Sequence, residues 1–121
     1  MSKFSVRTVE TGYKFDLHSS NGQVIATSEI YDTRAACLKG IESVRKNGPL
    51  APVEDLTESG PAVSNPKFQL FQDKAGQYRF RLKARNGKII AVSEGYTTKA
   101  SCENGIDSVR KNADTAEIEE V

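Results

Sequence analysis

From Tyr13 onward apolar and polar side chains alternate: Tyr13, Phe15 and Leu17 are separated by Lys14 and Asp16. Tyr78, Phe80 and Leu82 repeat the pattern around Arg79 and Arg81. A period of two predicts a strand with one buried and one wet face, as in antiparallel sheets. A hydrophobic strand precedes each run, over residues 4–9 and 68–72, across a turn at 10–12 or 73–76. Asn21-Gly22 and Asn86-Gly87 follow; this pair favours a type I′ hairpin turn, in which both central residues need positive φ. In that register opposed residue numbers sum to 43 in the first hairpin and 173 in the second, so Lys14 faces Glu29 and Arg79 faces Glu94. Opposite charges so placed contribute roughly 0.2–1 kcal/mol.

After Tyr31 and Tyr96 the period changes. Ala36, Cys37, Gly40, Ile41 and Val44 recur at three-to-four spacing, as do Ser101, Cys102, Gly105, Ile106 and Val109. The spacing predicts amphipathic helices, with Thr33 or Thr98 as N-cap and Asn47 or Asn112 near the end. A glycine inside a helix costs about 1 kcal/mol against alanine. Gly40 and Gly105 sit on the apolar face, where close approach of helix to sheet accounts for them. Short strands are expected over 51–57, at a sheet edge where proline is tolerated, and over 116–121.

These elements occur twice, at a constant offset of 65 from Tyr13–Asn47 to Tyr78–Asn112. Two copies suggest a pseudo-two-fold pair sharing one core, because a unit this small buries too little surface alone. All four prolines lie within residues 48–66, outside the two matched stretches. We therefore expect one domain over 1–121: repeat 1 at 3–57, connector at 58–66, repeat 2 at 67–121. The fold class is α+β, with two tandem β3-α-β repeats forming one antiparallel sheet and both helices packed on one face.

Composition adds bounds. Hydrophobic content of 37% and charge of 27% describe a folded, water-soluble chain. No apolar run approaches the roughly 20 residues of a membrane span, and no secretory signal is visible, so the expected compartment is the cytoplasm. There Cys37 and Cys102 are expected to stay reduced. Two cysteines and one histidine cannot close a zinc site, and no cofactor motif appears. The net charge of +1 is uneven: residues 67–113 carry ten Lys/Arg against four Asp/Glu, whereas 49–66 and 114–121 carry acids and no base.

The string Arg79-Phe80-Arg81-Leu82-Lys83-Ala84, with Asn86-Gly87, Ser93-Glu94-Gly95-Tyr96, Cys102-Glu103-Asn104-Gly105-Ile106 and Ser108-Val109, closely resembles the YegP-like family of small bacterial proteins. The resemblance covers both repeats. Repeat 1 departs from it at Asp16, His18, Ser19, Ser20, Ile30, Leu38 and Lys39. The resemblance implies a β3-α-β unit paired with its copy, C-terminal strands exchanged between units, and a bacterial, cytoplasmic setting. It implies no established activity and no catalytic residues.

Candidate chemistry is sparse. His18 lies on the polar phase of its strand and reads as a surface residue. Cys37 and Cys102 share a face with Ile41, Val44, Ile106 and Val109 and read as buried thiols; a thiol-dependent enzyme is the distant alternative. Glu29 and Glu94 are assigned to Lys14 and Arg79. The stronger candidate is a surface: Arg79, Arg81, Lys83 and Arg85 alternate along one strand, with Lys88 past the hairpin, a spacing suited to phosphates. Ile25, Ile90 and Val92 add apolar character and suggest a protein partner or weak self-association. The acidic stretches are expected to fold back onto basic repeat 2. The sequence thus reads as a non-enzymatic binding or accessory protein, with polyanion or nucleic-acid binding as the alternative.

Overall fold

The computed structural model describes residues 2–120. Three strands, β1 (Lys3–Val9), β2 (Gly12–His18) and β3 (Val24–Thr27), lead into helix α1 (Arg34–Asn47) and a short strand β4 (Val53–Asp55). The order then recurs as β5 (Lys67–Gln72), β6 (Tyr78–Lys83), β7 (Ile89–Val92), α2 (Lys99–Ala113) and β8 (Glu117–Glu120). All eight strands form one sheet in the order β4-β5-β6-β7-β3-β2-β1-β8. The sheet is mixed, which corrects the expected antiparallel arrangement. Its six central strands are antiparallel, but β4 runs parallel to β5 and β8 parallel to β1. Parallel partners need a long connection: β4 reaches β5 through the loop at residues 56–66, and β8 is separated from β1 by most of the chain.

The Asn-Gly turns also differ from expectation. Asn21 and Asn86 keep negative φ, and only Gly22 (φ 87°) and Gly87 (φ 85°) are left-handed. Gly22 N–H donates to the Ser19 carbonyl and Ser19 N–H to the Gln23 carbonyl, each at 2.9 Å; Gly87, Ala84 and Lys88 repeat this. Each turn is therefore type I with a glycine bulge, the alternative three-residue hairpin loop. A second irregularity, at Leu17/His18 and Leu82/Lys83, restores the expected register, with Leu17 opposite Ala26 and Leu82 opposite Ala91. It also turns Ile25 and Ile90 into the core, so they do not join Val92 on the outer face.

The core is continuous across both halves of the chain. Phe4, Phe15, Leu17, Ile41 and Val44 are fully buried, as are Phe68, Phe80, Leu82 and Val109. Phe4 meets Phe15 edge-on at 5.8 Å, and Phe68 meets Phe80 at 5.9 Å. Each buried phenylalanine contributes roughly 1.5–3 kcal/mol. Helix α1 packs over β2 and β7, and α2 over β3 and β6, so each helix bridges the two halves. Thr33 and Thr98 cap these helices, accepting from Ala36 and Ser101 N–H at 3.1 Å. A Cβ at Gly40 would press on the Tyr31 hydroxyl and lie 3.1 Å from the Phe15 ring; Gly105 faces Tyr96 and Phe80 likewise.

The acidic ends are held locally. Glu119 pairs with Lys3 at 3.1 Å and Glu120 with Arg34, so the C-terminal end lies on the first half and not, as expected, on basic repeat 2. The acidic stretch at 49–66 does reach the second half, where Glu54 meets Lys67 at 2.8 Å and Asp55 meets Lys99. Among the described residues no helix is long and apolar enough to cross a membrane.

Candidate functional site

Strand β6 buries Phe80 and Leu82 toward the helices, which turns Arg79, Arg81 and Lys83 to the helix-free face. Arg79 donates from Nε to Asp73 at 2.7 Å and from Nη1 to the Ser93 carbonyl at 3.3 Å. The Arg79–Glu94 pair expected from the register does not form, nor does Lys14–Glu29: among the described residues neither appears as an ion pair. Asp73 wins because its loop brings it alongside β6. The Arg79 hydrogen bond, helped by the Gln77 and Ala75 N–H groups, holds its carboxyl below the usual range.

Arg81 donates from Nε to Gln69 at 2.7 Å, and its guanidinium lies 4.8 Å from the centre of the Phe71 ring. Gln69 in turn donates to Glu54 at 2.7 Å. Hydrogen bonds from Gln69, Lys67 and Val63 N–H draw the Glu54 carboxyl down to about 2. Glu54 is thus spent on Lys67, while Arg81 is oriented by a neutral amide, with no carboxylate paired to it among the described residues. Lys83 has no ion-pair partner among the described residues.

Arg85 does not join this row. Strand β6 ends at Lys83, Ala84 is buried, and Arg85 starts the turn on the helix side, beside Lys39 and Lys46 of α1. Lys88 is exposed on the outgoing arm of that turn, without an ion pair among the described residues. Of the five predicted cations, the structure brings together Arg79, Arg81 and Lys83. Phe71 lies beside them, a neighbour that the spacing along β6 alone does not reveal. The phase of β5 carried the signal: Phe68 and Leu70 point inward, so Gln69 and Phe71 point out.

The first half is built differently. Arg7 occupies the position of Phe71 and Asp16 that of Arg81, and the two form a 2.9 Å ion pair. A cation stacked on an aromatic ring is thereby replaced by a neutralised pair. Where the halves meet, Thr27 faces Val92, and a cleft of about 260 Å³ is bordered by Arg7, Lys14, Asp16 and Glu94.

His18 is less free than its strand phase suggested. Nε2 lies 2.7 Å from the Ser5 hydroxyl and Nδ1 3.3 Å from the Gly22 carbonyl; a carbonyl only accepts, so Nδ1 carries a proton. Cys37 and Cys102 are fully buried and free. Burial raises both thiols, Cys102 to about 11. Among the described residues no group of three or more His, Cys, Asp and Glu is placed to hold a metal.

A family profile described as "Domain of unknown function (DUF1508)" matches residues 10–55 and 73–120. The chain belongs to the DUF1508 family. A UPF0339 protein of Photorhabdus laumondii is 36% identical to this DUF1508 chain over 115 residues, covering 95% of this chain and 89% of the relative. A Treponema denticola UPF0339 protein is 56% identical over 55 residues, which is 46% of this chain and 95% of that protein. The solution NMR structure of YegP from E. coli, a protein of unknown function, superimposes with a TM-score of 0.81 at 30% identity, covering 98% of this chain and 91% of that one. The UPF0339 protein SO3888 of Shewanella oneidensis gives the same TM-score at 31% identity. The α+β fold of the DUF1508 chain is thus that of YegP.

Proposed function

We propose that this DUF1508 protein is a non-enzymatic, cytoplasmic binding module whose helix-free sheet face engages single-stranded nucleic acid through Phe71, Arg79, Arg81 and Lys83. One observation carries the reading: the Arg81 guanidinium lies 4.8 Å from the centre of the Phe71 ring on the helix-free face, with Lys83, which has no ion pair among the described residues, two residues along the strand. An aromatic ring beside cations suits unpaired strands, since every base has a π-face and every nucleotide a phosphate. Base stacking of this kind contributes about 1–3 kcal/mol per base. The buried thiols and the doubly hydrogen-bonded His18 favour binding over catalysis. Titration of the 15N-labelled protein with a 12-nucleotide oligothymidine tests it. Shifts centred on residues 69–71 and 79–83 that weaken as salt rises are expected. A spectrum that does not move at low salt would contradict the reading.

We also infer that the chain is a tandem of β3-α-β units that have exchanged their last strands. Support comes from β4, which follows α1 yet pairs with β5, and from β8, which follows α2 yet pairs with β1. A relative of half this length, matched over 95% of itself, fits a single unit as the building block. Residues 3–57 and 67–121 are the units on this reading, with 58–66 between them.

A further inference from the structure

Two grooves on the helix side occupy equivalent places, each between the helix of one half and the β-hairpin of the other. One lies between α2 and the turn at residues 19–23. The second, of about 340 Å³, lies between α1 and the turn at residues 84–86. Their charges differ. In the first, Asp107 is paired with Arg110 at 3.3 Å, which leaves Lys111 as the single uncompensated cation among the described lining residues. In the second, Glu42 is taken by Arg45 at 2.7 Å, and Lys39, Lys46 and Arg85 are all without an ion-pair partner among the described residues. Among the lining positions that the two grooves share, charge changes at two: Asn104 corresponds to Lys39 and Ser20 to Arg85.

The geometry gathers these cations. Lys39, Ser43 and Lys46 fall on one face of α1, and the two lysines are about 10 Å apart along its axis at 1.5 Å per residue. Arg85 closes the groove from the opposite wall, with Asn86 beside it. Three uncompensated positive charges around one concavity repel one another, and an anion seated between them relieves that repulsion. The guanidinium supplies a planar fork and the ammoniums supply point charges, a complement suited to phosphate oxygens. The volume is in the range of small-molecule sites, roughly 300–1,000 Å³.

We propose that this groove is a distinct binding site for a small phosphorylated ligand bearing two or more negative charges, held by Lys39, Lys46 and Arg85. It stands apart from the sheet-face reading, since Arg85 leaves the stripe to join it. The same phosphate chemistry could arrive on a nucleic-acid strand bound to the sheet face, so the test separates the two sources.

The full chain is titrated with inorganic pyrophosphate at constant ionic strength and followed by amide NMR. The proposal predicts saturable shifts confined to residues 39–47 and 84–88, with at least tenfold weaker binding in the K39A/R85A variant. Both side chains are exposed, so that variant should keep its fold; its remaining amide shifts verify this. In R81E/K83E, pyrophosphate binding should persist while oligothymidine binding falls. Absence of saturation, equal shifts along residues 104–112, unchanged affinity in K39A/R85A, or loss of pyrophosphate binding in R81E/K83E would each overturn the proposal.

Discussion

Arg45 of α1 reaches across to the Ala116 carbonyl, 2.6 Å from its Nη2, where the chain turns into β8. Its guanidinium also lies 5.6 Å from the centre of the Phe4 ring. Arg110 makes the same bond to Ala51 at 2.7 Å, ahead of β4, over Phe68. Each helix thus fastens the edge strand that follows the other helix. A charge-assisted hydrogen bond of this kind contributes about 1.5–3 kcal/mol. Arg45→Met should keep most of the packing and lose the bond, lowering stability by about 1–3 kcal/mol. Amide exchange in β8 should accelerate more than exchange in β2. Equal acceleration of both strands would show that the bond does not hold β8 in particular.

Gly40 tests the approach of α1 to the sheet. Alanine is the better helix former by about 1 kcal/mol. Its methyl would nevertheless meet the Tyr31 side chain and the fully buried Phe15 ring. Overpacking a tight interior typically costs about 1–3 kcal/mol, so Gly40→Ala should be destabilising on balance. Gly105→Ala should behave alike, against Tyr96 and Phe80. Urea denaturation decides; a midpoint equal to or above the parent's would refute the close approach.

Glu54 should make stability depend on acid. Its carboxyl lies at about 2 in the folded protein, below the ordinary value of 4.5, because hydrogen bonds from Gln69, Lys67 and Val63 favour the charged form. A depressed carboxyl stabilises the fold above its unfolded value, and the contribution is lost as pH falls from 4.5 toward 2. In Glu54→Gln that part of the pH dependence should be missing. A parent and variant whose urea midpoints fall in parallel between pH 5 and 2 would contradict the assignment.

Cys37 and Cys102 should be silent in the native state. Both are fully buried and burial disfavours their thiolates. A chromogenic disulfide reagent at pH 8 should label neither cysteine until denaturant is added, and then label both. Rapid labelling of the native protein would reopen thiol chemistry.

The strand phases, helix caps and helix glycines were legible because each follows from a local period or a single side chain. Thr33 and Thr98 accept the bonds expected of them, and Phe15 and Phe80 point where alternation put them. The hairpins were not, because Asn-Gly serves two turn types, and the choice depends on the paired backbone of Ser19 and Gln23. That choice, together with the irregularity beside Leu17 and Leu82, moved Ile25 and Ile90 inward and carried Arg85 off the β6 row. Nor could residue spacing show that the loop acid Asp73 outcompetes Glu94 for Arg79. Phe71 was legible from the phase of β5; its worth depended on Arg81 from the neighbouring strand.

The salt dependence of oligothymidine binding, measured by fluorescence anisotropy for the parent and R81Q/K83Q, tests the sheet-face assignment most directly. Each phosphate neutralised on a single strand contributes about −0.7 to the slope of log affinity against log salt. Removing two contacts should make the slope shallower by about 1.4 and weaken binding at low salt. Equal slopes and affinities for the two proteins would mean that Arg81 and Lys83 touch no phosphate, and the assignment would fall.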